Sequence, residues 1–141
     1  VGSEMCIRDR FKCEFAMTKA AEELKRCREW IEGALRYSGD THTFADIVEA
    51  LSTGKMQLWA ASEGCHITEI QRYPKKKVLH GFLAGGKLDQ LVEMQSDMFK
   101  WGKAQGCVAA SIAGRKGWER VLKSSGWKPL HTVLTKEFKN E

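Results

Sequence analysis

From Met56 to Leu83 the chain carries three consecutive strand-type runs, Met56–Ala61, Cys65–Arg72 and Lys77–Leu83, joined only by Ser62-Glu63-Gly64 and Tyr73-Pro74-Lys75-Lys76. Connections this short cannot carry a crossover between parallel strands, which takes about a dozen residues or more. The runs are therefore expected as an antiparallel meander, the second showing strand alternation. This stretch constrains the fold more than any other, because the helices around it must be laid on the sheet it makes.

Helical periods flank the meander. Upstream, Ala21, Leu24, Cys27, Trp30 or Ile31, and Leu35 recur at helical spacing after a capping Thr18 and stop at Ser38-Gly39. Thr43 and Asp46 have capping-box spacing ahead of the stripe Phe44, Ile47, Val48 and Leu51, with Gly54 as the stop. Downstream, Leu88, Leu91, Val92, Gln95, Phe99 and Gly102 share one helical face, closed by Gly106. Cys107–Ala113 then reads as a buried strand with a single hydroxyl among its seven residues. Trp118, Val121 and Leu122 mark a short helix between Gly114 and Gly126, and Leu130–Phe138 alternates as a last strand. The expected class is α+β in α/β/α layers, a mostly antiparallel twisted sheet flanked by helices, in the order α-α-β-β-β-α-β-α-β.

Residues 1–16 read differently. VGSEMCIRDR has no helical or strand period and lacks the apolar core of a secretory signal; it resembles a translated sequencing-adapter peptide. The expectation is a non-native or disordered leader over 1–16 and one domain over 17–141. The alternative is a true strand containing Phe11 and Phe15.

Composition narrows the function classes. A formal charge of +5 from 23 basic and 18 acidic residues is mild, and acidic residues are interspersed nearly everywhere. That suits an anionic coenzyme and argues against a dedicated nucleic-acid binder. No apolar run approaches the ~18 residues of a membrane span. The five cysteines form no C-x-x-C pair, so neither a disulfide framework nor a zinc site is indicated, and a reducing cytoplasmic compartment is expected. Cys27 and Cys107 read as buried small hydrophobes. The four histidines show no metal-ligand spacing. Cys65 and His66, as strand neighbours, point to opposite faces and do not make a nucleophile pair. The five tryptophans read as core, and the Lys75-Lys76-Lys77 run as a solvated hairpin tip.

The most informative join is Ala84-Gly85-Gly86-Lys87, between a strand and the helix opening at Leu88. Glycines at such a turn expose backbone N–H groups beside the positive end of a helix dipole, which suits a phosphate. The same glycines can equally serve only to change direction.

This order of elements resembles the GNAT fold of acetyl-CoA-dependent N-acetyltransferases over Met17–Phe138. The segments Thr68–Ile70, Tyr73–Leu79, Leu83–Gly86 and Gly114–Trp127 are also similar to small GNAT-like proteins of tailed phages and prophages. The resemblance implies coenzyme contacts at Leu83, Gly85, Gly86, Lys87, Leu88 and Arg115, and a proton-accepting base on the central strands. His80 is the first candidate and Glu69 the second, since amine attack on a thioester needs a neutral amine and imidazole titrates near neutrality. Two features depart from the family. Its pyrophosphate loop usually reads Q/R-x-x-G-x-G/A, whereas only the Gly85-Gly86 pair is present. The Tyr that often protonates the leaving thiolate is replaced by Leu122.

Two functions are carried forward. One is acetyl transfer from acetyl-CoA to an unidentified amine, without a metal. The other is a catalytically silent module of the same fold that binds a virion or host protein, in the host cytoplasm or the virion. Because residues 1–16 show no period that would tie them down, a chain beginning at Met17 is expected to melt within a degree or two of the full chain in differential scanning calorimetry.

Overall fold

The computed structural model describes residues 19–114 and 116–138. The expectations for the 1–16 leader, Phe11, Phe15, the Thr18 cap and Arg115 lie outside the described residues. Helix α1 is seen over 19–26, followed by α2 (Arg28–Leu35) and α3 (Phe44–Ser52). The meander is β1 (Met56–Ala61), β2 (Gly64–Arg72) and β3 (Lys77–Gly86), followed by α4 (Leu88–Glu93), α5 (Gln95–Ala104), β4 (Cys107–Ile112), α6 (Lys116–Leu122) and a 3-10 turn, Lys123–Ser125.

The expected first helix is interrupted at Cys27 and the expected long helix at Met94, each by a residue whose ψ relaxes to −3° and −18° respectively. Backbone bonds still cross both joints: Ile31 N–H donates to Cys27 O at 3.0 Å and Met98 N–H to Met94 O at 3.2 Å. Helix α3 starts where the capping box places it. Asp46 N–H donates to Thr43 Oγ1 at 3.2 Å and Thr43 N–H to Asp46 Oδ2 at 2.8 Å. The Thr43 N–H foremost, and then the Thr43 hydroxyl donating to the same Oδ2 at 2.9 Å, hold the Asp46 carboxyl below its usual range.

The sheet runs β1-β2-β3-β4, with β1, β2 and β3 antiparallel and β4 parallel to β3. One face carries α2 and α3: Ile31, Leu35 and Ile47 pack on Met56, Cys65, Ile67 and Leu83. The other carries α5, whose Met98 packs with Leu79 and Cys107 beside Trp59, Ile70 and Trp101. Cys27 and Cys107 are buried, and the five tryptophans are half-buried. No helix among the described residues is long and apolar enough to cross a membrane.

β4, expected as a buried strand, has only Cys107 buried, because no strand among the described residues covers its outer edge. Two further expectations need correction. No strand forms over Leu130–Phe138: residues 127–138 carry neither helix nor strand, and Leu130, Val133, Leu134 and Phe138 lie exposed. Alternation makes a segment able to be a strand, but a strand exists only against a partner that supplies its backbone bonds. The second correction concerns the glycine pair, which lies within β3. Gly85 stands opposite Cys65 and Gly86 opposite Gly64.

The pair is there because other groups press on it. A Cβ on Gly85 would lie 2.9 Å from both Cβ and the carbonyl oxygen of Trp30, so α2 reaches the sheet only over a bare backbone. At Gly86, with φ +110°, a Cβ would come within 2.3 Å of Glu63 O. Gly86→Ala is therefore expected to destabilise by about 2–5 kcal/mol, combining overpacking with backbone strain. Gly117→Ala, where a Cβ has nothing within 4 Å, should not destabilise. Urea denaturation of both variants measures the contrast.

Candidate functional site

The registers of β2, β3 and β4 place three polar side chains in one row. Glu69 is opposite His80, and His80 is opposite Ser111. Residues in register share a face, and side chains alternate along each strand. Glu69 follows Ile67 by two positions, so the row lies on the α2–α3 side, just past the end of that core. All three residues are half-buried. His80 Nδ1 and Ser111 Oγ are 2.9 Å apart and share a hydrogen bond. Burial lowers the His80 pKa below the ordinary imidazole value, and the nearby Glu69 charge opposes that shift. The imidazole is therefore neutral at neutral pH, the state that can accept a proton.

The sheet opens beside this row. Ile67 pairs with Leu83 and Thr68 with Gly81, leaving Phe82 as an extra residue, a bulge. β4 runs alongside β3 only from Lys77 to Gly81. Beyond Phe82, the backbone of residues 83–86 has β2 on one side and, among the described residues, no strand on the other. Such an edge offers N–H and C=O groups to an extended ligand containing amides. The His42 ring lies edge-on to Phe82 with centroids 4.7 Å apart, and so borders the opening.

The other residues singled out from sequence are placed as follows. Leu83 has its side chain in the α2–α3 core. The Lys87 N–H donates to Glu63 O at 2.8 Å, and its ammonium pairs with Glu63 Oε2 at 2.8 Å, which raises its pKa. Gln90 Oε1 accepts from Glu63 N–H at 2.7 Å. The β1–β2 turn thus brings a carboxylate to the start of α4, where Leu88 is exposed. Leu122 is buried. His66 is held on the α4 side by Nε2 against Leu91 O at 2.8 Å, whereas Cys65 faces the opposite core.

Sequence reasoning missed two residues, Ser111 and Glu63. The signal for Ser111 was available, as the lone hydroxyl in an apolar strand. Glu63 lay in a turn that read only as a connector. A cavity of about 260 Å³ between α5, β4 and the Ser125–Trp127 turn is lined by Leu79, Phe99, Cys107 and Val108. Leu79 neighbours His80 on β3 and so faces the other side, which puts this cavity outside the polar row. Among the described residues, no three His, Cys, Asp or Glu side chains converge as a metal would require.

In comparisons with known proteins, no family model and no curated protein matches the chain. Its fold is similar to the crystal structure of a Trypanosoma brucei acetyltransferase, with a TM-score of 0.53 at 10% identity over 67% of this chain and 78% of that one. At that identity the likeness is one of fold: a mixed α+β architecture whose four-stranded mixed sheet is flanked by helices.

The buried histidines set a pH window. Burial lowers the pKa of both His66 and His80 below 6.5 in the folded chain, so the unfolded chain binds more protons as the pH falls through that value. Stability is expected to be flat above about pH 6.5 and to fall as the pH drops from there toward the folded-state values. His80→Gln should reduce the slope in that window. Chemical denaturation between pH 5 and 8 checks the sign.

Proposed function

We propose that the protein is a GNAT-type N-acetyltransferase that moves an acetyl group from acetyl-CoA to an amine. The observation that carries this reading is the Glu69–His80–Ser111 row ending beside a bulged, one-sided edge of β3. The similarity of fold to an acetyltransferase supports it. The reading takes residues 17–141 as one domain working in a cytoplasm.

On this reading the pantetheine amides bond to the open backbone of residues 83–86, which brings the thioester to the end of the row. When Ser111 Oγ accepts from His80 Nδ1–H, the Nε2 lone pair is free to take a proton from the acceptor ammonium, directly or through water. Glu69 is opposite His80 and stabilises the imidazolium that forms. The neutral amine attacks the carbonyl carbon, the C–N bond forms and the C–S bond breaks. The surplus proton on the acylated nitrogen passes through solvent to the departing thiolate, since Leu122 has none to give, and His80 releases the proton it took to water. Lys87 and the N–H of Leu88, with Arg115, serve the diphosphate, Lys87 exchanging Glu63 for phosphate. Gly85 and Gly86 shape the edge and keep it bare.

The alternative is a catalytically silent module of the same fold that binds a virion or host protein. It is favoured by the buried Leu122 and by the hold of Glu63 on Lys87.

Both readings meet in one experiment. Acetyl-CoA at a hundredfold excess over its Kd should stabilise the fold by about 2.7 kcal/mol. Thiol release with a panel of amines should fall by about 10²-fold or more in His80→Gln while the thermal shift by acetyl-CoA is kept. No shift at millimolar coenzyme would sink the enzyme reading. A shift without turnover of any amine would leave the silent module.

A further inference from the structure

Two complementary halves of a sheet interface lie apart in this chain. The first is β4, the last strand of the sheet, paired to β3 on one side and to no strand on the other among the described residues. A bare edge invites a further strand, and here nothing charged blunts it, since the strand reads Cys-Val-Ala-Ala-Ser-Ile. Val108 on this strand is 72% exposed. The second half is the segment 128–138, which has strand-forming residues and no strand. Leu130, Val133, Leu134 and Phe138 stand 85%, 74%, 91% and 93% exposed within nine residues. Scattered exposed apolar residues are ordinary, but so dense a group marks an interaction surface.

The chain leaves the body of the protein at a defined point. Trp127 packs on Phe99 with ring centroids 6.0 Å apart, and its N–H donates to Leu122 O. Pro129 then biases Lys128 toward an extended backbone. Eleven residues, 128–138, extended at about 3.3 Å each, reach roughly 35 Å from that anchor. The 260 Å³ cavity beside Trp127 is lined by Val108 and Phe99, so the ground next to the edge can also receive an apolar side chain.

We propose that residues 130–138 of one copy add as a strand to the β4 edge of a second copy, and reciprocally, giving a two-fold strand-exchanged dimer. The occupant is a second copy because both halves belong to this chain while its own arm lies off its own edge. A reciprocal exchange closes on itself, whereas a one-way exchange would propagate as a fibre. The arms together withdraw on the order of 1,000 Å² of largely apolar surface, where specific interfaces begin. β4 also carries Ser111 of the polar row, but the proposed pairing uses the strand's outer backbone and stands whatever that row does.

The test uses the full chain. Sedimentation equilibrium should show a dimer. Hydrogen exchange should show protection of residues 130–138 and of Cys107–Ile112 that rises with protein concentration. Leu134→Asp on the arm and Val108→Asp on the edge should each yield monomers and at least tenfold faster exchange across 130–138. Mixing the two variants restores one intact arm and one intact edge, and native mass spectrometry should find the mixed dimer. A monomer with its arm protected at every concentration would mean the arm pairs with its own edge. A monomer with a freely exchanging arm would mean it pairs with nothing. A dimer that survives both substitutions would mean the contact lies elsewhere. Each of these results overturns the proposal. Should either variant fail to fold by circular dichroism, the concentration dependence of arm protection in the unsubstituted chain decides the matter.

Discussion

The burial of both faces of β2 is the constraint on which the other elements depend. From Gly64 to Thr68 every residue is buried, so helices must cover the sheet on both sides. Cys65 and Ile67 turn toward α2 and α3, and His66 and Thr68 toward the opposite face. The two polar residues are tolerable there only because they are bonded. His66 meets Leu91 O, and Thr68 Oγ1 accepts from Trp59 Nε1 at 3.0 Å and donates to Gln57 Oε1 at 2.9 Å. Among the described residues no buried side-chain nitrogen or oxygen lacks a partner. Such satisfied groups give the strand one acceptable register, since a slip of one residue would exchange its two faces.

Close backbone contact then decides where the sheet opens. With Gly85 under Trp30 and Gly86 against Gly64, α2 and the β1–β2 turn clamp the far end of β3. The bulge at Phe82 re-aims that end just as β4 stops accompanying it. The glycines that looked like a phosphate cradle are thus first of all the packing solution that keeps the open edge clear. A Gly86 variant that lost ligand binding would report on this clamp as much as on any coenzyme contact.

The electrostatics of the site follow from its place at the core margin. His80 is buried enough to favour the neutral imidazole, yet it remains half-exposed. Ser111 and Glu69 reach the same imidazole through register alone, from strands 31 residues downstream and 11 upstream of it in sequence. The β4 parallel to β3 requires a crossover, and α4 and α5 supply it.

The meander, the capping box at Thr43 and the helical faces were legible in the sequence, because each depends on neighbours within a few residues. The pairing partners Glu69 and His80 were legible as candidate bases, because polar residues on central strands stand out against an apolar pattern. Three features were decided only in the tertiary structure. The alignment of Ser111 with His80 depends on a parallel register that no local pattern encodes. The glycine pair became a strand end because Trp30 and Glu63 arrive from distant parts of the chain. The alternating segment Leu130–Phe138 has the composition of a strand, yet it is not one in a single chain: side-chain periodicity is local, whereas the backbone bonds that make a strand must come from a partner.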